Sequence, residues 1–283
     1  MRFENEDVAT NGKILIFSEE LPEETIHIWD VTNKRSPEKL SALEGAGQHT
    51  MSCVLGCKWL YGSDGNIVDL RNPKKPKLVS STWGGEAATS NGHDVIEVGR
   101  GRVLTASDPM QLFDARKNPA HPKLLAVAKP MNEFIHSVQW PNGGRDKFIL
   151  ASGETWVPGL ETRCVESSAG ISTWNGTNWK RTHSFQMIDV FRPKSGTFTD
   201  GRPAVNAPFG CSSHWFQQHP TFKNGGLVAA GFYNHGTRFL KVDSKGKISE
   251  SVGSSRMQAG HRVLTGERIG SSTRSITSVA LTC

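Results

Sequence analysis

The sequence predicts an all-β fold built from repeats, and three observations carry that prediction. Short runs rich in Val, Ile, Leu, Thr and Trp are punctuated by 29 glycines and 14 prolines in 283 residues. Long helical periodicity is missing. A unit of about 40 to 45 residues recurs, and each copy reads as about four strands, which is the pattern of a β-propeller blade. The expectation is a single β-propeller of about six or seven positions, five of them well-formed four-stranded blades.

The clearest part of the repeat is an apolar strand, an aspartate, a polar turn and a proline. It occurs as Ile26-His27-Ile28-Trp29-Asp30 running to Pro37, as Ile67-Val68-Asp69 to Pro76, and as Leu112-Phe113-Asp114 to Pro122. A copy at Phe239-Leu240-Lys241-Val242-Asp243 keeps the aspartate and loses the proline. Ahead of these units lie apolar strands such as Ile14-Leu15-Ile16-Phe17, Trp59-Leu60-Tyr61, Val103-Leu104-Thr105, Phe148-Ile149-Leu150 and Leu227-Val228-Ala229. Ahead of those, in four copies, comes a strand opened by histidine: His49, His93, His136 and His214. The blades are expected at about 4–46, 47–90, 91–130, 131–190 and 210–253, all within a propeller spanning 1–253. A connection rich in Gly and Pro, at about 191–209, lengthens the fourth. Residues 254–283 carry Ser, Thr, Arg and Gly where buried alternation is expected, and read as a degenerate closing blade or a disordered tail.

Composition narrows the function. The formal charge of +6 comes from 33 Lys and Arg against 27 Asp and Glu, scattered rather than gathered on one face. The densest basic run, Arg71 to Lys77, is broken by Pro73 and Pro76 and reads as a solvated turn, so no nucleic-acid partner is expected. No stretch approaches the roughly 18 apolar residues of a membrane helix, and the first residues lack the apolar centre of a signal peptide. No membrane span is expected, and the chain reads as a monomer.

Several blocks occur together in order: Gly45-Ala46-Gly47-Gln48-His49-Thr50, Ile67-Val68-Asp69-Leu70-Arg71-Asn72-Pro73, Gly92-His93-Asp94-Val95, Gly210-Cys211-Ser212-Ser213-His214-Trp215-Phe216 and Gly225 to Tyr233. Over about residues 4–250 the chain resembles the LVIVD-repeat propeller proteins, which are common among secreted bacterial proteins. The resemblance implies a propeller and a secreted or extracytoplasmic protein. Such proteins are longer, with an export signal, a further blade upstream and a closing strand rich in Tyr and Asp. This chain departs from that pattern at both ends.

Five cysteines are too few for a disulfide scaffold. Cys53 and Cys57 flank Val54-Leu55-Gly56, and a hairpin there would bring them face to face. Cys164 and Cys211 flank the long connection and can staple it, which leaves Cys283 over. Such pairs favour an oxidising compartment, as does the acceptor sequon Asn175-Gly176-Thr177. Buried free thiols in a cytosolic protein are the competing reading.

The common catalytic motifs are missing, and what stands out is histidine at one repeat position. The first strand of each blade lines the channel, so His49, His93, His136 and His214 are expected to reach the same end of the axis. Converging imidazoles suit Fe, Cu or Zn. The arrangement resembles the four-histidine iron site of carotenoid-cleaving propellers and the histidine-lined copper site of the selenium-binding, thiol-oxidising propellers, in architecture rather than sequence. Glu97 and Glu154 follow two of these strands and are the candidate proton carriers. Asp94 is placed to accept a ring proton of His93. His219 is expected on the face opposite His214; Trp140, Trp215, Phe232 and Tyr233 can wall a pocket above the metal, although Trp and Phe in a propeller more often belong to the core between sheets. His27, His121, His183 and His261 are expected on outer strands or loops, in solvent. The same histidines also suit a structural role, satisfying buried carbonyls. Two readings therefore stand: a metal-binding propeller or metalloenzyme acting on a small molecule at the axial opening, and a non-catalytic interaction propeller that binds a protein or glycan partner.

Overall fold

The computed structural model describes residues 8–19, 24–83, 92–128, 134–154, 170–193, 212–233 and 235–251. It is all-β, in five sheets. The first blade holds β1 (Ala9–Thr10), β2 (Ile14–Ser18), β3 (Ile26–Asp30) and β4 (Glu38–Leu43). The second holds β5 (Met51–Val54), β6 (Trp59–Gly62), β7 (Ile67–Asp69) and β8 (Lys77–Ser80). The third holds β9 (Gly92–Glu97), β10 (Arg102–Ser107), β11 (Gln111–Asp114) and β12 (Lys123–Ala128). The fourth is built from β13 (Ile135–Gln139), β14 (Phe148–Gly153) and β15 (Ile171–Asn175), followed by β16 (Ser184–Phe185) and β17 (Met187–Phe191). Of these, β17 closes the fourth sheet, while β16 crosses to the outer edge of the third and pairs in parallel with β12. The fifth holds β18 (Ser213–Gln218), β19 (Gly226–Phe232), β20 (Gly236–Val242) and β21 (Ile248–Glu250).

Within each blade the four strands run as an antiparallel meander in chain order. The recurrent aspartate explains the turn that follows the third strand. Its Oδ1 accepts the N–H two residues on: Asp30 from Thr32 at 2.8 Å, Asp69 from Arg71 and Asp114 from Arg116 at 3.0 Å, Asp243 from Lys245 at 2.8 Å. This local bond bends the chain away from the strand. Asn175 does the same for Thr177 at 2.8 Å, so the sequon doubles as the fourth blade's copy of the turn. Pro37, Pro76 and Pro122 directly precede β4, β8 and β12, where a fixed φ and a missing N–H cost nothing to an outer strand.

The core lies between blades. Four clusters of buried side chains fill four seams. Ile16, Ile26 and Ile28 pack against Leu60 and Val68; Trp59, Tyr61 and Ile67 against Val103 and Phe113. Leu104 and Leu112 pack against Ile149 and Trp174; Leu150 and Ile171 against Phe216, Val228 and Leu240. Trp59-Leu60-Tyr61 shows why the sequence reads as a continuous apolar run: successive side chains enter opposite seams, and both are buried. Each such aliphatic side chain contributes roughly 1.5–3 kcal/mol. The four seams join the five described blades in chain order, as an arc from the first to the fifth. No helix among the described residues is long and apolar enough to cross a membrane.

Cys53 and Cys57 are disulfide-bonded, with Cα atoms 4.4 Å apart. The geometry differs from the hairpin expectation in one respect: Cys53 pairs with Leu60 across the strands, and Cys57 sits in the turn itself. Leu55, Gly56 and Cys57 all have positive φ (55°, 70° and 60°), a single left-handed turn that the bond spans. Cys164, Cys211 and Cys283 lie outside the described residues, as do His261 and residues 254–283. Of the two places open to Trp140 and Phe232, pocket wall or core between sheets, both take the core, 4% and 2% exposed. His27, expected in solvent, is buried on the outward face of the first blade. There its Nε2 meets Glu19 Oε2 at 3.3 Å and its ring stacks on Phe17. His121 is exposed, and so is His183, whose Nδ1 lies 3.0 Å from the Leu125 carbonyl.

Candidate metal centre

The inner strands β5, β9, β13 and β18 lie side by side, each beginning at the same end of the arc. His93, His136 and His214 are the second residues of β9, β13 and β18, and His49 lies two residues ahead of β5. Equal register therefore brings residues 43 to 78 positions apart into contact. Successive ring centroids are 4.6 Å apart for His49 and His93, 3.7 Å for His93 and His136, and 4.1 Å for His136 and His214. The four rings thus follow one another from blade to blade in a row.

Hydrogen bonding fixes the form of the second ring. His93 Nδ1 lies 2.9 Å from the carbonyl oxygen of His136, a contact that requires N–H at Nδ1. In the neutral ring the lone pair is then on Nε2, where it can either accept a proton from His49 Nε2, 3.0 Å away, or serve an ion in its place. A backbone carbonyl thus does for His93 what the sequence assigned to Asp94. The aspartate follows His93 on the strand and so points to the opposite face, where its Oδ1 accepts the Val95 N–H at 2.7 Å.

Glu154 directly follows β14 and comes to the centre of the row. Ligand atoms of His93, His136 and Glu154 all lie within 4.8 Å of one another. Two imidazoles and a carboxylate are a ligand set for Zn or Fe. Ligand bonds of about 2.0–2.1 Å would draw the three atoms together by small side-chain rotations. His49 reaches this group from one flank through His93. His214 reaches it from the other, with Nε2 4.0 Å from Glu154 Oε1. The Tyr233 hydroxyl donates to Glu154 Oε1 at 2.6 Å. Trp215 stands edge-on to His136 with centroids 5.3 Å apart, and Phe134, 37% exposed, edge-on to His93 at 5.5 Å. Phe134 escaped the sequence reading, although its place two residues before a strand histidine was a usable signal.

The other candidate acid is elsewhere. Glu97 ends β9, at the far end from His93, and accepts the N–H of Gly101 in the β9–β10 hairpin. Four residues of strand put it about 13 Å from the row, so it caps a turn. His219 sits past the end of β18 with its Nδ1 2.8 Å from Thr221 Oγ1, away from the row.

No family model matches the chain, and no curated protein does. Solved propeller structures do. Sqt1 of Saccharomyces cerevisiae matches with a TM-score of 0.55 and 10% identity over 88% of this chain and 63% of that one. A protein of Bacteroides fragilis described provisionally as a 6-phosphogluconolactonase gives 0.56 and 11%, over 87% and 69%. One of Bacteroides uniformis with the same description gives 0.55 and 11%, over 86% and 69%. The chain spans less than two thirds of Sqt1. At these identities the likeness is one of fold alone.

Proposed function

We propose that this chain is an extracytoplasmic propeller of the LVIVD-repeat type that binds a transition metal ion at the histidine end of its inner strands. His93, His136 and Glu154 form the ligand core, and His49 and His214 flank it. The observation that carries this reading is the closeness of those three residues' ligand atoms, together with the carbonyl that leaves His93 Nε2 as a lone-pair donor. The two imidazoles are the borderline ligands that Fe, Cu and Zn accept, and the carboxylate favours Zn and Fe among them. Bound there, such an ion would supply a Lewis acid to a small molecule, beside the Phe134 and Trp215 rings that stand edge-on to His93 and His136. Export is supported by the Cys53–Cys57 bond.

Elemental analysis of tag-free protein from its natural compartment tests the proposal. A stoichiometric transition metal, lost in a His93→Ala, His136→Ala double variant that stays folded, supports it. A metal-free wild type overturns it. The reading then preferred is an interaction propeller with a protein or glycan partner. One observation already favours that alternative: Leu227 and Phe239, 46% and 42% exposed, share the open face of the fifth blade.

A further inference from the structure

Glu154 and Tyr233 occupy equivalent places in consecutive blades. The Glu154 N–H donates to the Phe134 carbonyl at 3.1 Å, and the Tyr233 N–H to the Ser212 carbonyl at 3.0 Å. Phe134 and Ser212 each stand two residues ahead of their blade's histidine, His136 and His214. The repeat therefore delivers an acid and a phenol to the same level of the arc, one blade apart. There the Tyr233 hydroxyl donates its single proton to Glu154 Oε1 at 2.6 Å. The bond is charge-assisted on the carboxylate side and fixes the carboxylate's rotation. The same oxygen is the one 4.0 Å from His214 Nε2, and the His214 and Tyr233 rings pack with centroids 5.0 Å apart. His214 is not part of the group whose ligand atoms lie within 4.8 Å.

We infer that Tyr233 and His214 are positioning residues that hold Glu154 by Oε1, so that the ion is taken by His93, His136 and the other carboxylate oxygen, Oε2. This rests on the metal-binding reading and sharpens it. It also moves His214 from the ligand set, where its repeat position alone puts it, to the support behind the carboxylate. The fifth blade then completes the centre without touching the ion. Outer groups of this kind orient ligands, and their removal typically lowers metal affinity by 10- to 100-fold.

The test is titration of the full chain with Co2+, which reports affinity, stoichiometry and, through its d–d absorption, the ligand set. Circular dichroism confirms that each variant is folded. Wild type is expected to bind one ion. Tyr233→Phe should keep the stoichiometry and the spectrum while binding 10- to 100-fold more weakly. His214→Gln should keep the spectrum, whereas Glu154→Gln should change it. The Tyr233→Phe, Glu154→Gln double variant should bind no more weakly than Glu154→Gln alone, because a residue that acts only through the carboxylate has nothing further to lose. Affinity of Tyr233→Phe within twofold of wild type, additive losses in the double variant, or a His214→Gln spectrum that differs from wild type each overturns the inference while leaving the metal reading in place. A wild type that binds no Co2+ overturns both.

Discussion

The rings of His93 and His136 lie with centroids 3.7 Å apart, and the backbone carbonyl of the second accepts the Nδ1 proton of the first. One residue thus serves its neighbour twice, as a packing surface tilted by 35° and as the acceptor that orients it. His136 is itself fully buried.

From this geometry His93→Ala and His136→Ala should each abolish stoichiometric Zn2+ binding, measured by equilibrium dialysis of the folded protein. His121→Ala, in the exposed turn between β11 and β12, should leave it intact. Equal retention in all three would remove the centre from the inner strands.

Asp146 links the fourth blade to the fifth. Only 3% exposed, it accepts from Asn142 Nδ2 at 2.7 Å, the Phe148 N–H at 3.1 Å and the Asn224 N–H at 2.8 Å. Asp146→Ala strands three donors and should cost about 3 kcal/mol in urea unfolding. A loss under about 1 kcal/mol would mean that water replaces the carboxylate.

The Asp114 carboxyl is held down to about 2, first by the hydrogen bond from the Arg116 side chain, with burial acting in the opposite direction. A carboxyl that ionises more readily folded than unfolded stabilises the fold above its unfolded value near 4. That contribution is lost as pH falls through about 2. Asp69 is lowered in the same way by Arg71. The acid limb of the stability curve between about pH 4 and pH 2 should flatten in Arg116→Gln; an unchanged limb would show that solvent screens the pair.

Peptide mapping without reduction should recover Cys53 joined to Cys57. Cys57→Ser should lower stability by about 2 kcal/mol, the loop-entropy value for so short a ring. Two alkylatable thiols at these positions in protein from its natural compartment would contradict the bond.

Much of the fold could be read in the sequence because the repeat is enforced by local chemistry. The aspartate turns the chain through its own side chain, and the proline fits only an outer strand, so both recur at nearly fixed spacing. The histidine row was legible for the same reason: equal register in neighbouring blades converts a sequence period into contact. What could not be read depends on distant chain. Asn175 hid its equivalence to the aspartates behind a different residue type. Glu97 and Glu154 look alike in sequence, but the β9–β10 hairpin uses the first, while the end of β14 opens the second onto the row. His27 looked solvated because its strand lies toward the outside of the blade; Glu19, eight residues away, gives it a buried partner.

The short parallel pairing of β16 with β12 has a mechanical consequence. Among the described residues, strands of different blades otherwise meet through side chains, a contact that lets a blade open as its own unit. Here Val127 donates its N–H to the His183 carbonyl at 3.1 Å, and Phe185 is fully buried in the seam below. The third and fourth blades are thus stitched by backbone as well as by packing, and the exposed edge of the third is capped against pairing with another chain. In native-state hydrogen exchange, amides of β11, β12 and β15 should lose protection together as one foldon, while those of the first and fifth blades open at lower free energy.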